Sequence, residues 1–570
     1  MKVSHDDTTA PAAAARALPK ALEQVARGLR FLFRRLPSDP RLAVFRAALA
    51  GTHMPAVEQP LIAVQCVEDA MYFAIFGALL EQFAQQGGVR AELVVVRAIN
   101  AAVGTGRIAR LLRSRPLGLL VSQQWIRAYM PLAAGVAYRS LAFASPLTEW
   151  QDARLARRLW QDARDRGGDF MLEIDGVPVG DLVIDSYLRF RPAPRFDAAD
   201  PFVGVVVRQA VRDVREAQRY FARRRPALYV TSYSTYLEHG IAARVALRLG
   251  VRVMSFGNFT RFGRELTLQD WFHTADTSNY RRDFEALPDQ DARLTEAERA
   301  LQVRLNGGID AATSYMRSSA YGPSGKPVPS DMRGAVIVFL HDFYDSPHIY
   351  HDLVFPDFWT WIEFTITTLT EEGIPFYLKP HPNQVHLSGE ALKTLQARHP
   401  TLRLLEGGIS NVQLVEAGMA CGVTVYGTVA HELAYLGVPS IACARHPHHS
   451  FDLCRTAKTV DEYRAMLRTP SERPLDLVEM RRQALAFYYM HNLHGNPAAL
   501  ELRAAFIAFW RTCHADGVSE QELLQAFDRL CRSPSFSNYS SDLYQTATGA
   551  QAPTSDLEAA IPRPSMPAGN

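Results

Sequence analysis

His381 stands between Pro380 and Pro382, with Lys379 before the first proline and Asn383 after the second. Each proline fixes its own φ, so the imidazole is aimed with little conformational freedom left to lose. Lys379, His381 and Asn383 suit a phosphate or diphosphate as hydrogen-bond donors, and the apolar run Pro375–Lys379 leads into them as a strand. A strand-ending turn with a capping histidine is the plainer reading. The density of Lys, His, Asn and two prolines favours ligand binding.

A second cluster runs Tyr426-Gly427-Thr428-Val429-Ala430-His431-Glu432, where the apolar run Gly422–Tyr426 turns to helical sequence. Gly427 permits close backbone approach, and Thr428 is placed as the N-cap of a helix whose first N–H groups favour anions. Glu432 follows one turn later, where a carboxylate can accept from ribose hydroxyls. The bland alternative is a capped helix with a favourable acid in its first turn. The segment lacks the second histidine of a zinc-protease motif. His341-Asp342-Phe343-Tyr344-Asp345-Ser346-Pro347-His348 ends another apolar run, Ala335–Leu340, and offers Asp342 to an acceptor. His446-Pro447-His448-His449 invites a metal reading, but no carboxylate or thiolate has ligand-like spacing around it and Pro447 breaks the run. No metal ligand is assigned.

Upstream, the segment Gly176 to Arg189 is dense in Gly, Asp, Tyr and Arg. Asp181 and Asp185 can accept from sugar hydroxyls, Tyr187 can stack on a sugar ring, and Arg189 supplies charge. A hairpin with Asx turns explains the same composition equally well. Tyr233-Ser234-Thr235-Tyr236-Leu237-Glu238-His239-Gly240 follows the strand Leu228–Thr231. There Glu238 or His239 can take a proton from an acceptor hydroxyl, with His239 otherwise an acceptor contact; a capped helix start is the plain alternative.

The elements that must position these groups read as α/β. Short apolar strands alternate with helical stretches, as in parallel sheets buried on both faces. Leu61–Val67, Glu92–Val96, Leu228–Thr231 and Val251–Ser255 are the strands of a first domain over 51–290. A connection over 291–334 leads to a second domain over 335–475, with strands at Ala335–Leu340, Pro375–Lys379, Leu402–Leu405, Gly422–Tyr426 and Pro439–Ala442. Helices follow over 476–532, and the Ser-, Pro- and Ala-rich tail 533–570 is expected to be disordered. Within residues 1–50, Ala12 to Leu36 form a basic amphipathic helix, with Leu18, Leu22, Val25, Leu29, Leu32 and Leu36 on one face. Such a stripe suits packing on the domain behind it, or an anionic membrane surface; packing is its commoner use.

The chain has 570 residues, 48% hydrophobic and 21% charged, enough for two cores. A net charge of +3 gives no reason to expect nucleic acid as a partner. Six scattered cysteines, the missing secretory pattern and the absence of a long apolar run predict a cytoplasmic protein, peripheral on the inner face of the plasma membrane if the first helix binds lipid.

At these residues the sequence resembles the capsule and surface-polysaccharide glycosyltransferases of GT-B architecture, in scattered blocks from Gly176 to Leu467. Lys379-Pro380-His381-Pro382 is similar to that group's His-Pro motif, and Gly427-Thr428 with Glu432 to its Ser/Thr motif. The Gly180–Leu182 and Asp185–Arg189 segments are similar to a stretch in the same proteins. The resemblance implies two Rossmann-like domains facing a cleft, with extra N- and C-terminal helices. It implies metal-independent transfer with no cofactor beyond a nucleotide-sugar co-substrate, CMP-linked acidic sugars such as Kdo or sialic acid being favoured. Lys379, His381, Asn383, Tyr426, Gly427, Thr428 and Glu432 would hold the donor. Asp181, Asp185, Tyr187, Arg189, His239 and Asp342 would meet a polysaccharide or glycolipid acceptor, and Asp181 or Glu238 would act as base. The group's acidic-acidic-Gly motif has its only close match at Glu371-Glu372-Gly373, in the wrong domain for a base. Two rivals are a polyol-phosphate transferase using a CDP donor and a non-catalytic scaffold of a capsule assembly complex. The transferase reading requires that His381 and Thr428 converge on one pocket between the lobes.

Overall fold

The structure is a computed structural model that describes residues 39–52, 60–96, 125–133, 135–138, 145–166, 170–191, 193–274, 276–310, 326–381 and 386–549. The basic helix expected within 12–36 lies outside the described residues, as does Asn383.

The first lobe is built on strands β1 Leu61–Gln65, β2 Arg90–Val95, β3 Gly135–Tyr138, β6 Leu228–Thr231, β7 Arg252–Phe256 and β8 Gly263–Leu266, in spatial order β3-β2-β1-β6-β7-β8. Only β8 runs antiparallel to its neighbour. A short hairpin, β4 Glu173–Ile174 with β5 Val177–Pro178, stands apart. Its helices are α1 Pro40–Ala48, α2 Ala70–Gln86, α3 Pro146–Asp165, α4 Gly180–Phe190, α5 Pro201–Arg224 and α6 Tyr236–Arg248. Alternate residues of β1 feed opposite layers, Ile62 and Val64 toward α2 and Ala63 toward α4, α5 and α6. The start of α2 is fixed by Asp69, whose carboxylate accepts the N–H groups of Met71 and Tyr72.

Helices α7 Tyr280–Glu285 and α8 Gln290–Leu305 lead toward the second lobe. That lobe has β9 Val336–Phe339, β10 Phe376–Lys379, β11 Cys421–Val423, β12 Ser440–Ala442 and β13 Arg455–Thr456, all parallel, in order β10-β9-β11-β12-β13. Helices α9 Phe358–Glu371, α10 His386–Arg398, α11 Asn411–Glu416, α12 Val429–Tyr435 and α13 Val460–Arg468 cover the sheet. The expected strand at Leu402–Leu405 reduces to one bridge, Leu378 to Leu404.

Four helices close the chain: α14 Leu477–Asn492, α15 Pro497–His514, α16 Glu520–Cys531 and α17 Pro534–Thr548. α14 packs with α8 and α12 on the second lobe, whereas α15, α16 and α17 return to the first and cover α2. That cover explains why α2, AMYFAIFGALLEQFAQQ, is apolar nearly all round. The tail departs from expectation over 534–548. Ser533 caps α17, Pro534 opens it, and Phe536, Leu543 and Ala547 bury onto the first lobe. Among the described residues no helix is long and apolar enough to cross a membrane.

The fold is thus α/β, with two Rossmann-like sheets and additional helices at both ends.

Candidate functional site

In a parallel sheet the chain leaves a crevice where consecutive connections depart to opposite sides, outside the carboxyl ends of the strands. In the second lobe β10 lies on one side of β9 and β11 on the other, so the crevice opens at the ends of these three strands. His341, His381 and Gly427-Thr428 follow those ends. The His341 Nε2 lies 3.1 Å from Thr424 Oγ1, which also accepts the N–H of Gly427 at 3.1 Å. His341 stacks on Phe358 at 4.7 Å and meets Tyr426 at 4.6 Å. Burial, and then His381 nearby, hold the His341 pKa down at about 3, so this ring is neutral. His381 is half-buried, and burial lowers its pKa against the opposing pull of Asp342. Asp342 accepts from Ser388 Oγ at 2.7 Å, so it stands with the second-lobe groups around His381. Thr428 is exposed and caps α12 by position, but its side chain makes no capping hydrogen bond, leaving the hydroxyl for other use. Tyr426 is buried, its hydroxyl donating to the Ser346 carbonyl at 3.4 Å.

Glu432 does not face this crevice as a ribose contact. It is 1% exposed, and its two oxygens accept from Arg304 Nη1 and Asn411 Nδ2, each at 2.8 Å. Arg304 reaches back from α8 and also binds Asp310 at 3.0 Å. Asn411 in turn accepts from Lys379 Nζ at 2.6 Å. Burial lowers the Lys379 pKa to about 8, opposed by Glu432. Glu432 therefore anchors the strand end that carries Lys379.

The first lobe has the equivalent crossing between β1 and β6. Gln65 ends β1; its Oε1 accepts from Thr231 Oγ1 at 2.8 Å, and its Nε2 lies 2.9 Å from His239 Nδ1 and 2.9 Å from the Glu238 carbonyl. Sequence reasoning passed over Gln65, although a polar residue ending an apolar strand was a visible signal. His239 is held neutral, its pKa lowered by burial to about 4. Glu238 is 9% exposed, and its Oε2 is buried with no hydrogen-bond partner among the described residues. Burial, with a smaller push from Asp213, raises its pKa to about 7. Tyr236, at the first turn of α6, has φ +60°. Such a value in a bulky residue costs on the order of 1–3 kcal/mol and collects at functional sites.

Residues 176–189 run from the turn of the β4–β5 hairpin through β5 into α4, so the four acceptor candidates on α4 point to different places. Asp181 is bound by both Arg244 Nη atoms, one at 2.7 Å. Burial works against its charge, but Arg244 outweighs this and holds the carboxyl below the usual range. Such a group is a poor base, which corrects its candidacy. Tyr187 also departs from expectation. It is 2% exposed, packs among Phe170, Phe196 and Phe202, and donates to Asp200 at 3.1 Å, because its place on α4 turns it into the core. Arg189 is exposed, close enough to Glu238, Tyr236 and Asp345 to influence their ionisation.

Asp185 joins the lobes. Its Oδ1 lies 2.7 Å from His348 Nδ1, and its Oδ2 accepts from Ser346 Oγ. Burial raises the Asp185 pKa; for His348 burial is outweighed by the Asp185 carboxylate, which raises it. Across the gap, Tyr426 lies in the electrostatic reach of Asp345, Asp185 and Tyr236. Farther along, Thr274 Oγ1 donates to the Ile349 carbonyl at 2.9 Å, and a small open cleft lies between Asp270, Phe272, Tyr350, His351, Arg445 and His449. The ground for dismissing a metal at His446–His449 also fails here. The chain folds Cys454 against His446 and His448, a thiol that local spacing did not suggest.

No protein-family model matches the chain, and no curated protein matches it. Among solved structures it is similar to Thermosulfurimonas dismutans KpsC, a beta Kdo 2,4 transferase, at 15% identity over 45% of this chain and 79% of that one, with a TM-score of 0.27. It is also similar to the UDP-GlcNAc 2-epimerase of Neisseria meningitidis bound to UDP-GlcNAc (9% identity, 74% and 97% covered, TM-score 0.21). A third is the Streptomyces sp. SF2575 glycosyltransferase SsfS6 (12% identity, 75% and 96% covered, TM-score 0.20). Every one of these TM-scores is below 0.5, and none fixes an activity.

Proposed function

We propose that the chain is a GT-B glycosyltransferase that moves a sugar from a nucleotide-activated donor to a growing bacterial surface polysaccharide or glycolipid. The observation that carries this reading is the pair of sheet crossings, one per lobe, each dressed with the groups such a transfer needs and joined by Asp185 and His348. The donor phosphate would sit at the second-lobe crossing. His381 and the Thr428 hydroxyl donate to it, and Lys379 adds positive charge from behind. Gly427 lets the backbone come close. Asn383, beside this turn, is the remaining donor candidate.

The acceptor would lie against the first lobe near Arg189 and His239. Glu238 takes the proton of the acceptor hydroxyl as its oxygen bonds the anomeric carbon. The bond from that carbon to the phosphate oxygen breaks, and its electron pair leaves with the nucleotide. Charge growing on the phosphate is stabilised by His381 and Lys379, groups held in place before the reaction. No metal is assigned to this transfer.

A CMP-linked acidic sugar is the favoured donor, supported by the resemblance of the His-Pro and Ser/Thr segments and by the cationic Arg189 at the gap. The test is incubation of the full chain with purified nucleotide sugars, reading release of CMP, UDP, CDP or GDP, beside thermal shifts with the same nucleotides. Selective stabilisation by CMP and release of CMP are expected. Response to CDP-polyols would mark a teichoic-acid-type transferase, UDP or GDP a neutral-sugar enzyme. Absence of any nucleotide binding would leave a scaffold. His381→Ala should lower turnover about 100-fold; unchanged turnover would refute the donor assignment.

A further inference from the structure

We propose that His446, His448 and Cys454 bind one divalent cation of the zinc class, in the loop between β12 and β13. The three residues are 1%, 0% and 7% exposed, and their ligand atoms all lie within 4.8 Å of one another. What distinguishes this cluster from an ordinary buried histidine pair is its hydrogen bonding. Among the described residues, neither ring nitrogen of His448 has a hydrogen-bond partner, and neither does His446 Nδ1. Buried imidazole nitrogens without partners are rare, and an ion is one of the few things that satisfies them. His446 is oriented from behind, its Nε2 lying 2.7 Å from Thr456 Oγ1. That is the usual way a protein fixes which nitrogen it offers to a metal. The Cys454 thiol makes long contacts to the carbonyls of Ser440 at 3.6 Å and Arg455 at 3.7 Å.

Two imidazoles and a sulfur select zinc, cobalt or a similar cation over magnesium or calcium, which prefer oxygen. In a tetrahedral zinc site, donors at about 2.0–2.3 Å from the metal stand roughly 3.5 Å from one another. The cluster is slightly wider than that. His446 and His448 are stacked at 3.6 Å with 25° between their planes, so one ring must turn for both to point at one cation. His448, its ring held by no hydrogen bond among the described residues, is the one that turns. Binding displaces one proton, from the Cys454 thiol, and leaves both histidines neutral. Access is provided by the open pocket between the lobes, which His446 helps line. The cation ties down the loop carrying Arg445 and His449 to that pocket. It takes no part in the sugar transfer, so the inference stands independently of it.

The test uses the full chain with its affinity tag removed, stripped by a chelator and dialysed against zinc or cobalt. About one equivalent of zinc is expected to remain bound. Cobalt should give the near-ultraviolet charge-transfer band of a thiolate ligand, which zinc abolishes by competition. Cys454→Ser should remove the band, and His448→Gln should release most of the metal, while Cys513→Ser, in the other lobe, keeps both. If Cys454→Ser does not fold, His446→Gln serves in its place and must also lose metal. Wild-type protein that retains no metal, a cobalt spectrum without the thiolate band, or a band that survives in Cys454→Ser overturns the proposal.

Discussion

Glu238→Gln keeps the shape of the side chain and removes its ability to accept a proton, so it isolates the proposed base. The carboxyl is 9% exposed with one oxygen unpartnered among the described residues, and burial places its pKa at about 7. A base must be unprotonated to act, so kcat/KM should rise with pH along a limb centred near 7 and level off above it. With that pKa, the deprotonated fraction is about three quarters at pH 7.5 and about one tenth at pH 6, an activity ratio of about eight. Glu238→Gln should lower kcat by roughly 10²- to 10⁴-fold and flatten the limb. The assay is release of nucleotide from the donor identified by the panel, followed from pH 5.5 to 9. Two variants sharpen it. Asp181→Asn, which weakens the pair with Arg244 and leaves Glu238 in place, should keep the limb. His348→Asn tests the rival base, since His348 is held by Asp185 at 2.7 Å at the same gap. Persistence of the limb in Glu238→Gln, with its loss in His348→Asn, would show that the imidazole and not the carboxylate takes the proton.

The same substitution should stabilise the fold. A folded-state pKa raised from 4.5 to about 7 means the folded protein holds the proton more tightly than the unfolded chain. Stability is therefore largest below pH 4.5 for this group and falls as pH rises through 7, by about 3 kcal/mol in all. Urea unfolding at pH 8 should show Glu238→Gln more stable than wild type, and at pH 4.5 the two should agree. Arg304→Met strands Glu432 and Asp310 as buried carboxylates and should cost about 3–5 kcal/mol, read by urea unfolding. Gly180→Ala should cost up to about 3 kcal/mol, since its Cβ would stand 1.8 Å from the Phe170 carbonyl oxygen. A thermal melt unchanged from wild type would show that α4 can shift away.

The strands were legible because a buried parallel strand is a short apolar run. Leu228–Thr231 appears as read, and Ala335–Leu340 and Pro439–Ala442 shorten only at their ends to Val336–Phe339 and Ser440–Ala442. From strand order come the loops at the crossings, which is why the sequence alone placed His381, Thr428, Glu238 and His239 just beyond strand ends. Long-range partners could not. Glu432 in the first turn of a helix looks solvent-facing until Arg304, 128 residues earlier in the chain, is known to reach it. Asp181 looks like a free carboxylate until Arg244 is placed beside it. The error at Tyr187 was avoidable, since Leu182, Val183, Tyr187 and Leu188 repeat with helical spacing and mark a core face. So was the error in the tail, where Ser533-Pro534 is a helix-start signal and Gly549 a stop.

The gap between the lobes suits the opening and closing that the proposed transfer would need. The apolar clusters of the two sheets are separate: α2 and the helices after α14 close one, and α9 with the residues around β9 close another. Between the lobes many contacts are polar, although His351 also packs on Phe272 with ring centroids 4.5 Å apart. Besides Asp185 with His348, the Phe196 N–H donates to Asp357 at 2.9 Å and His351 lies 3.5 Å from Asp270. Breaking such contacts loses little, because each group recovers a hydrogen bond from water. Separating an apolar interface would instead cost free energy in proportion to its area. The lobes could therefore part to admit the donor and acceptor of the proposed transfer and close again without unfolding either core. In the proposed transfer, closure would expel water from around Glu238 and His381 together, and the pairing of the buried Asp185 with His348 would report it.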